Sequence, residues 1–204
     1  MMKTIAVQLS AAFIILAAAG IALRFKLTLP QKSQLTRSRH EPEWLSHAIK
    51  VNAALLGAVT LVATIFPGKL PITSLLSEVV ICCMGAVFGV IGCSLMYISL
   101  SALGSNFSGT SGTYSDHELV VSGPYRFVRH PYYLATALIV FGLSLLLGSI
   151  SIAFFGTFLL VTLAMRSRAE DRELREKFGE VYEKWERSTG SYLPRFRSPP
   201  IEND

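Results

Sequence analysis

Four apolar runs divide the chain: Ile5 to Leu23, Leu45 to Phe66, Leu75 to Leu103 and Tyr132 to Met165. A helix crossing a hydrocarbon core needs roughly 20 apolar residues, and each run is long enough to supply them. The last, at 34 residues, is too long for one crossing. Gly148-Ser149 interrupts it, which predicts two helices of about 16 residues joined by a tight turn. The pattern predicts an all-α, polytopic integral membrane protein with about five transmembrane helices. Beyond Met165 the apolar run gives way to a charged helical extension. In the third run Gly85 and Gly89 form a small-xxx-small pair with Gly92 nearby, a face that another helix can approach closely.

Composition agrees with lipid as the solvent. The chain has 204 residues, 51% hydrophobic and 16% charged, against about a quarter charged in soluble domains. Of 19 Lys and Arg, six lie between Arg24 and Lys50, two are Arg126 and Arg129, and nine follow Met165. Lys3 and Lys69 are all that the opposite side receives. The positive-inside rule then puts the start of the chain outside and the C-terminal extension in the cytosol. A cleaved signal peptide is the rival reading of the first run, since Lys3 precedes it and Ala17-Ala18-Ala19 resembles a cleavage site. Arg24 and Lys26 answer it as a stop-transfer flank. The net charge of +5 serves topology, so no nucleic-acid partner is expected. Cys82, Cys83 and Cys93 read as packing residues without metal spacing, and no metal is expected.

Two cytosolic segments, Gly104 to Tyr133 and Arg166 to Arg195, carry more polar chemistry than topology needs. Gly123-Pro124-Tyr125-Arg126-Phe127-Val128-Arg129-His130-Pro131-Tyr132-Tyr133 stands directly before a membrane helix. Gly-Pro breaks the chain, and Pro131 suits a first helical turn, where its missing N–H has no partner to lose. In the second segment Arg166 and Glu170 lie one turn apart on a face that Leu174 and Phe178 continue. Ionisable groups at this depth are paired or functional, although a snorkelling surface helix gives the same pattern. Arg126 and Arg129 as lipid-phosphate ligands, His117 as an exposed loop residue and Tyr132 as an interface anchor also stay open. Tyr182 and Trp185 read as packing or membrane-surface residues.

From Gly104 to about Arg195 the chain resembles the isoprenylcysteine carboxyl methyltransferase family and its relatives among integral-membrane phospholipid methyltransferases. The resemblance rests on His117-Glu118-Leu119-Val120, on Gly123-Pro124-Tyr125 followed by Arg129-His130-Pro131-Tyr132-Tyr133, and on Glu170-Asp171 followed by Phe178-Gly179-Glu180-Val181-Tyr182 and Leu193-Pro194. Gly104-Ser105-Asn106-Phe107 resembles the isoprenylcysteine branch in particular. Asp171 departs from the second Glu more often seen there. The loop from Phe107 to His117 is short.

The resemblance implies S-adenosylmethionine as cofactor. His117, Glu118, Leu119, Val120 and Tyr125 then line the adenosine side, His130, Pro131, Tyr132 and Tyr133 close over the cofactor, and Glu170 accepts from its donors. It makes Arg166 the residue that binds an acceptor carboxylate, with Arg166 and Glu170 as the catalytic pair. The function implied is carboxyl O-methylation of a lipophilic acceptor, a prenylated cysteine, reached from the lipid. A phospholipid amine or a lipophilic small metabolite is the alternative acceptor, and an NADPH-dependent sterol-type membrane reductase the more distant alternative. Residues 1–103 form three N-terminal spans and residues 104–204 the catalytic core. The eukaryotic resemblance implies the endoplasmic reticulum, with a prokaryotic inner membrane still open.

Overall fold

A computed structural model describes residues 2–28, 35–37, 40–66, 78–104, 112–114 and 118–195. Its helices are α1 (Met2–Thr28), α2 (Glu43–Ile65), α3 (Glu78–Leu103), α4 (Pro131–Leu147), α5 (Ile150–Phe178) and α6 (Glu180–Ser188). The protein is a polytopic, all-helical membrane fold. Helices α2, α3 and α5 are long and apolar enough to cross a membrane, and Val7–Leu23 of α1 and Pro131–Leu147 are shorter apolar helices. One small addition was not predicted. β1 (Leu35–Arg37) pairs antiparallel with β2 (Gly112–Tyr114), tying together two segments that precede α2 and follow α3.

The α4–α5 turn forms where the chain breaks its apolar run. Gly148 takes the left-handed conformation (φ 60°), which glycine adopts without a Cβ penalty, and closes α4. Ser149 then caps α5, its Oγ accepting from the Ile152 N–H at 3.3 Å. At the other end of α4, Pro131 occupies the first turn as expected, and a short 3-10 turn at Gly123–Arg126 precedes it.

Lipid tails are as apolar as leucine, so helices associate here through close packing more than through escape from water. The most extensive contact is between α3 and α4. A Cβ on Gly85 would lie 2.7 Å from the Gly142 carbonyl oxygen, and one on Gly142 would lie 2.7 Å from that of Gly85. The predicted glycine face is therefore a seam, with Gly142 as its partner on α4. Gly89 of α3 meets Ile14 of α1, and α2 packs against α5. Ala11, Ile14, Leu100, Ala135, Leu147 and Ile152 form the centre of the buried cluster. Cys82 and Cys93 pack partly buried as expected, but Cys83 faces outward.

Candidate functional site

Beyond Met165, α5 continues past its apolar span for more than three turns as a charged helix, and its inward face meets the start of α4. Arg166 sits where apolar helix becomes charged helix and is 9% exposed. Its Nε lies 3.4 Å from Glu170 Oε1, the i,i+4 pair that the spacing predicts. Burial of Arg166, Ser167 and Ala169 excludes the snorkelling surface helix. Glu170 also accepts a hydrogen bond from the Tyr133 hydroxyl at 2.7 Å. His130 stacks on Tyr133 with ring centroids 5.6 Å apart, and its Nδ1 stands 3.8 Å from Glu170 Oε2. Tyr132 meets Tyr133 edge to face at 5.8 Å. Four residues from two sequence blocks, His130, Tyr133, Arg166 and Glu170, thus form one cluster, with Pro131 buried beneath and Tyr132 at its side.

Tyr125 is buried in the 3-10 turn. Burial, with the charge of Glu170 and Tyr132 adding to it, pushes its hydroxyl far above the usual tyrosine range and keeps it a neutral donor. Glu118 is exposed, while Leu119 and Val120 are half-buried. No hydrogen bond among the described residues ties Leu119 or Val120 to the cluster. His117, with Ser105, Asn106 and Phe107, lies outside the described residues.

Beside this cluster is a second, denser one around Asp171. Asp171 Oδ1 accepts from the Tyr182 hydroxyl at 2.5 Å and pairs with His130 Nε2 at 2.9 Å, and Oδ2 accepts from Arg129 Nη2 at 3.2 Å. Arg129 is 8% exposed and reaches the Thr189 carbonyl at 2.9 Å, Ser191 Oγ at 2.9 Å and the Glu186 carboxylate at 3.3 Å. Its burial and its partners rule out a lipid-phosphate role; Arg126 is exposed. Burial by itself would raise the Asp171 carboxyl, but hydrogen bonding to His130, the His130 charge, the Tyr182 hydroxyl and Arg129 outweigh it and hold it below the usual carboxylate range.

The main chain joins in. The N–H groups of Arg129 and His130 donate to the carbonyls of Gly190 and Ser191 at 2.8 and 2.9 Å, a short parallel bridge from the segment after α6. Gly190 has no room for a side chain, since the Leu193 carbonyl oxygen occupies the place of a Cβ. Tyr182 is fully buried, and Trp185 Nε1 donates to the Tyr125 carbonyl at 3.2 Å. Both pack, as read from the sequence, and both also bond to the site.

Pattern reading missed one residue of the N-terminal half. Glu41, 8% exposed just before α2, places Oε2 3.9 Å from Arg166 Nε and accepts from Ser46 Oγ at 2.8 Å. No local signal marks it. An acidic residue before Pro42 reads as an ordinary helix start, and its partner is far along the chain.

Geometrically, the arrangement is an edge formed by the Glu170 carboxylate and the His130 ring, faced by aromatic rings, with a buried guanidinium one turn away. Such an edge fits a ligand rich in donors, an ammonium or a hydroxyl pair, and the guanidinium fits an anion.

Residues 80–176 match the isoprenylcysteine carboxyl methyltransferase family, a stretch that contains Arg129, His130, Tyr133, Arg166, Glu170 and Asp171. A protein-S-isoprenylcysteine O-methyltransferase of Schizosaccharomyces pombe is 32% identical over 108 residues, covering 50% of this chain and 46% of the relative. The chain spans about half the length of that relative. The matched segment, residues 80–176, is thus similar to the isoprenylcysteine carboxyl methyltransferase family and contains the site at the foot of α4 and α5.

Proposed function

We propose that the protein is a membrane methyltransferase that uses S-adenosylmethionine to methylate the carboxylate of a lipophilic acceptor, a C-terminal prenylcysteine. The observation that carries this is the buried Arg166, held 3.4 Å from Glu170 where the apolar span of α5 ends. When bound, S-adenosylmethionine supplies an electrophilic methyl group on a positively charged sulfur. Glu170 and His130 would hold the cofactor's donors, with Tyr125, Tyr132 and Tyr133 against its nucleoside; His117, Glu118, Leu119 and Val120 would complete that side. Arg166 binds both oxygens of the acceptor carboxylate through its planar fork. A carboxyl with an ordinary pKa near about 3.5 is already ionised at neutral pH, so the chain needs no general base. Alignment and exclusion of water are what its residues contribute. The greasy part of the acceptor stays in lipid while the cofactor arrives from water, so the cytosolic foot of α4 and α5 is where the two meet. That reading places residues 104–204 as the catalytic core, in the endoplasmic reticulum membrane with the C-terminal helices cytosolic.

The test is transfer of labelled methyl from S-adenosylmethionine to N-acetyl farnesylcysteine by detergent-purified protein. A base-labile product is expected. Arg166→Ala should raise the KM for the acceptor about tenfold or more while leaving cofactor affinity within a few fold, and Glu170→Gln should weaken the cofactor instead. Equal loss of both in Arg166→Ala would reject the assignment of that residue. Glu41 favours a second acceptor class, because a carboxylate already beside Arg166 suits an incoming amine. A base-stable product from an aminolipid would select it. Binding of NADPH in place of S-adenosylmethionine would select the reductase.

A further inference from the structure

His130 lies between two adjacent carboxylates of α5 and touches them with different atoms. Nε2 is at hydrogen-bond distance from Asp171 Oδ1, 2.9 Å, whereas Nδ1 is 3.8 Å from Glu170 Oε2, too far for one. The ring is pinned in this pose. The His130 backbone N–H donates to the Ser191 carbonyl, Tyr133 stacks on one side of the ring and Tyr192 lies tilted at 5.8 Å. Asp171 is similarly fixed, by Tyr182 on Oδ1 and Arg129 on Oδ2. An ionised carboxylate only accepts, so the bond to His130 requires the proton on Nε2. In the neutral ring Nδ1 is then a bare acceptor turned toward Glu170.

We propose that Asp171 is a positioning residue that fixes the His130 proton on Nε2, so that Nδ1 stands beside Glu170 as a second acceptor for the donor groups of the cofactor. This rests on the reading of His130 and Glu170 as cofactor residues. It gives the second acidic residue of α5 a task distinct from the first: Glu170 meets the ligand, and Asp171 decides what His130 can offer it. Arg129, Tyr182 and Ser191 belong to the same frame, so the segment after α6 is coupled to the ring through Asp171 and the 130–191 backbone bond.

The substitution Asp171→Asn inverts the arrangement. Arg129 has only donors, so the Asn oxygen must face it and the amide NH2 must face Nε2. The proton is then driven to Nδ1, and the edge beside Glu170 changes from acceptor to donor. The experiment is ¹⁵N NMR of histidine-labelled, unliganded protein in micelles at mildly alkaline pH, with His130 assigned by its own substitution, alongside calorimetric titration with S-adenosylmethionine. Wild-type protein should carry the proton on Nε2. Asp171→Asn should move it to Nδ1 and weaken S-adenosylmethionine by about tenfold or more. Asp171→Glu should restore both, a rescue that loss of packing does not allow. A proton on Nδ1 in the wild type overturns the proposal without recourse to any variant, as does an Asp171→Asn protein that keeps the wild-type tautomer or the wild-type affinity. If Asp171→Asn does not fold, the wild-type tautomer and Asp171→Glu decide: an Nδ1 proton, or a Glu variant that keeps the tautomer yet loses the cofactor, overturns the idea. Wild-type protein that binds no S-adenosylmethionine overturns the cofactor reading itself, and does so separately from the ring proton, which is read without ligand.

Discussion

At the scale of single residues, Asp171 is held by Arg129, His130 and the Tyr182 hydroxyl together. Its folded-state carboxyl is held below the ordinary range, so its stabilising effect is fully present above the unfolded value near about 3.9. That contribution is lost as pH falls through the folded value. Wild-type protein should therefore lose stability on acidification below about pH 4 more steeply than Asp171→Asn, as thermal unfolding across pH would show. Tyr182 contributes one of these bonds, and burial raises its own hydroxyl first, with the bond to Asp171 adding to that. Tyr182→Phe should cost about 1 kcal/mol, visible as a lowered unfolding temperature. Parallel curves for wild type and Asp171→Asn would remove Asp171 from the acid-sensitive groups. Arg166 and Glu170 were readable as partners because the helical repeat puts them on one face. The partners of Asp171 were not, since Arg129 and Tyr182 reach it across a fold that no period encodes.

Among elements, the decisive contact is the glycine seam between α3 and α4. Backbone atoms oppose Gly85 and Gly142 at 2.7 Å from an added Cβ, and backbone cannot swing aside as a side chain can. Gly85→Ala should destabilise the bundle by roughly 1–3 kcal/mol through overpacking. Gly57→Ala on α2, where nothing lies within 4 Å, is the matched control and should be neutral or slightly stabilising. Detergent-solubilised thermal unfolding compares them, and equal behaviour would mean that α3 and α4 do not meet this closely. Small residues at a four-residue spacing flagged α3 from sequence. Their facing partner, Gly142, carries no such signature, because it is one glycine in an evenly apolar helix.

For the whole molecule the site depends on two segments distant from the α4–α5 hairpin. Glu41, before α2, reaches Arg166, and residues 189–192, after α6, lie against the first turn of α4 through the Gly190 and Ser191 carbonyls. Truncation after Ser188 removes the acceptors of the Arg129 and His130 N–H groups and two partners of the buried Arg129 guanidinium. It should abolish measurable S-adenosylmethionine binding while the spans still insert, as resistance to carbonate extraction would show. Retained cofactor affinity in that truncation would reduce the segment to a passive cover.

The sequence alone determined the number and limits of the apolar helices, the Gly148-Ser149 turn, the charged continuation of α5 and the chemistry gathered in the Arg129-to-Tyr133 and Arg166-to-Asp171 blocks. These follow from local rules: hydrocarbon thickness sets helix length, glycine and proline set the breaks, and the helical repeat aligns neighbours one turn apart. Tertiary structure alone decided that Asp171, and not lipid phosphate, takes Arg129, that Glu41 joins Arg166, and that Tyr182 and Ser191 frame His130. The physical reason is that a buried charge must find a partner wherever the packed helices bring one, and where they do so is a property of the bundle and not of any single window of residues.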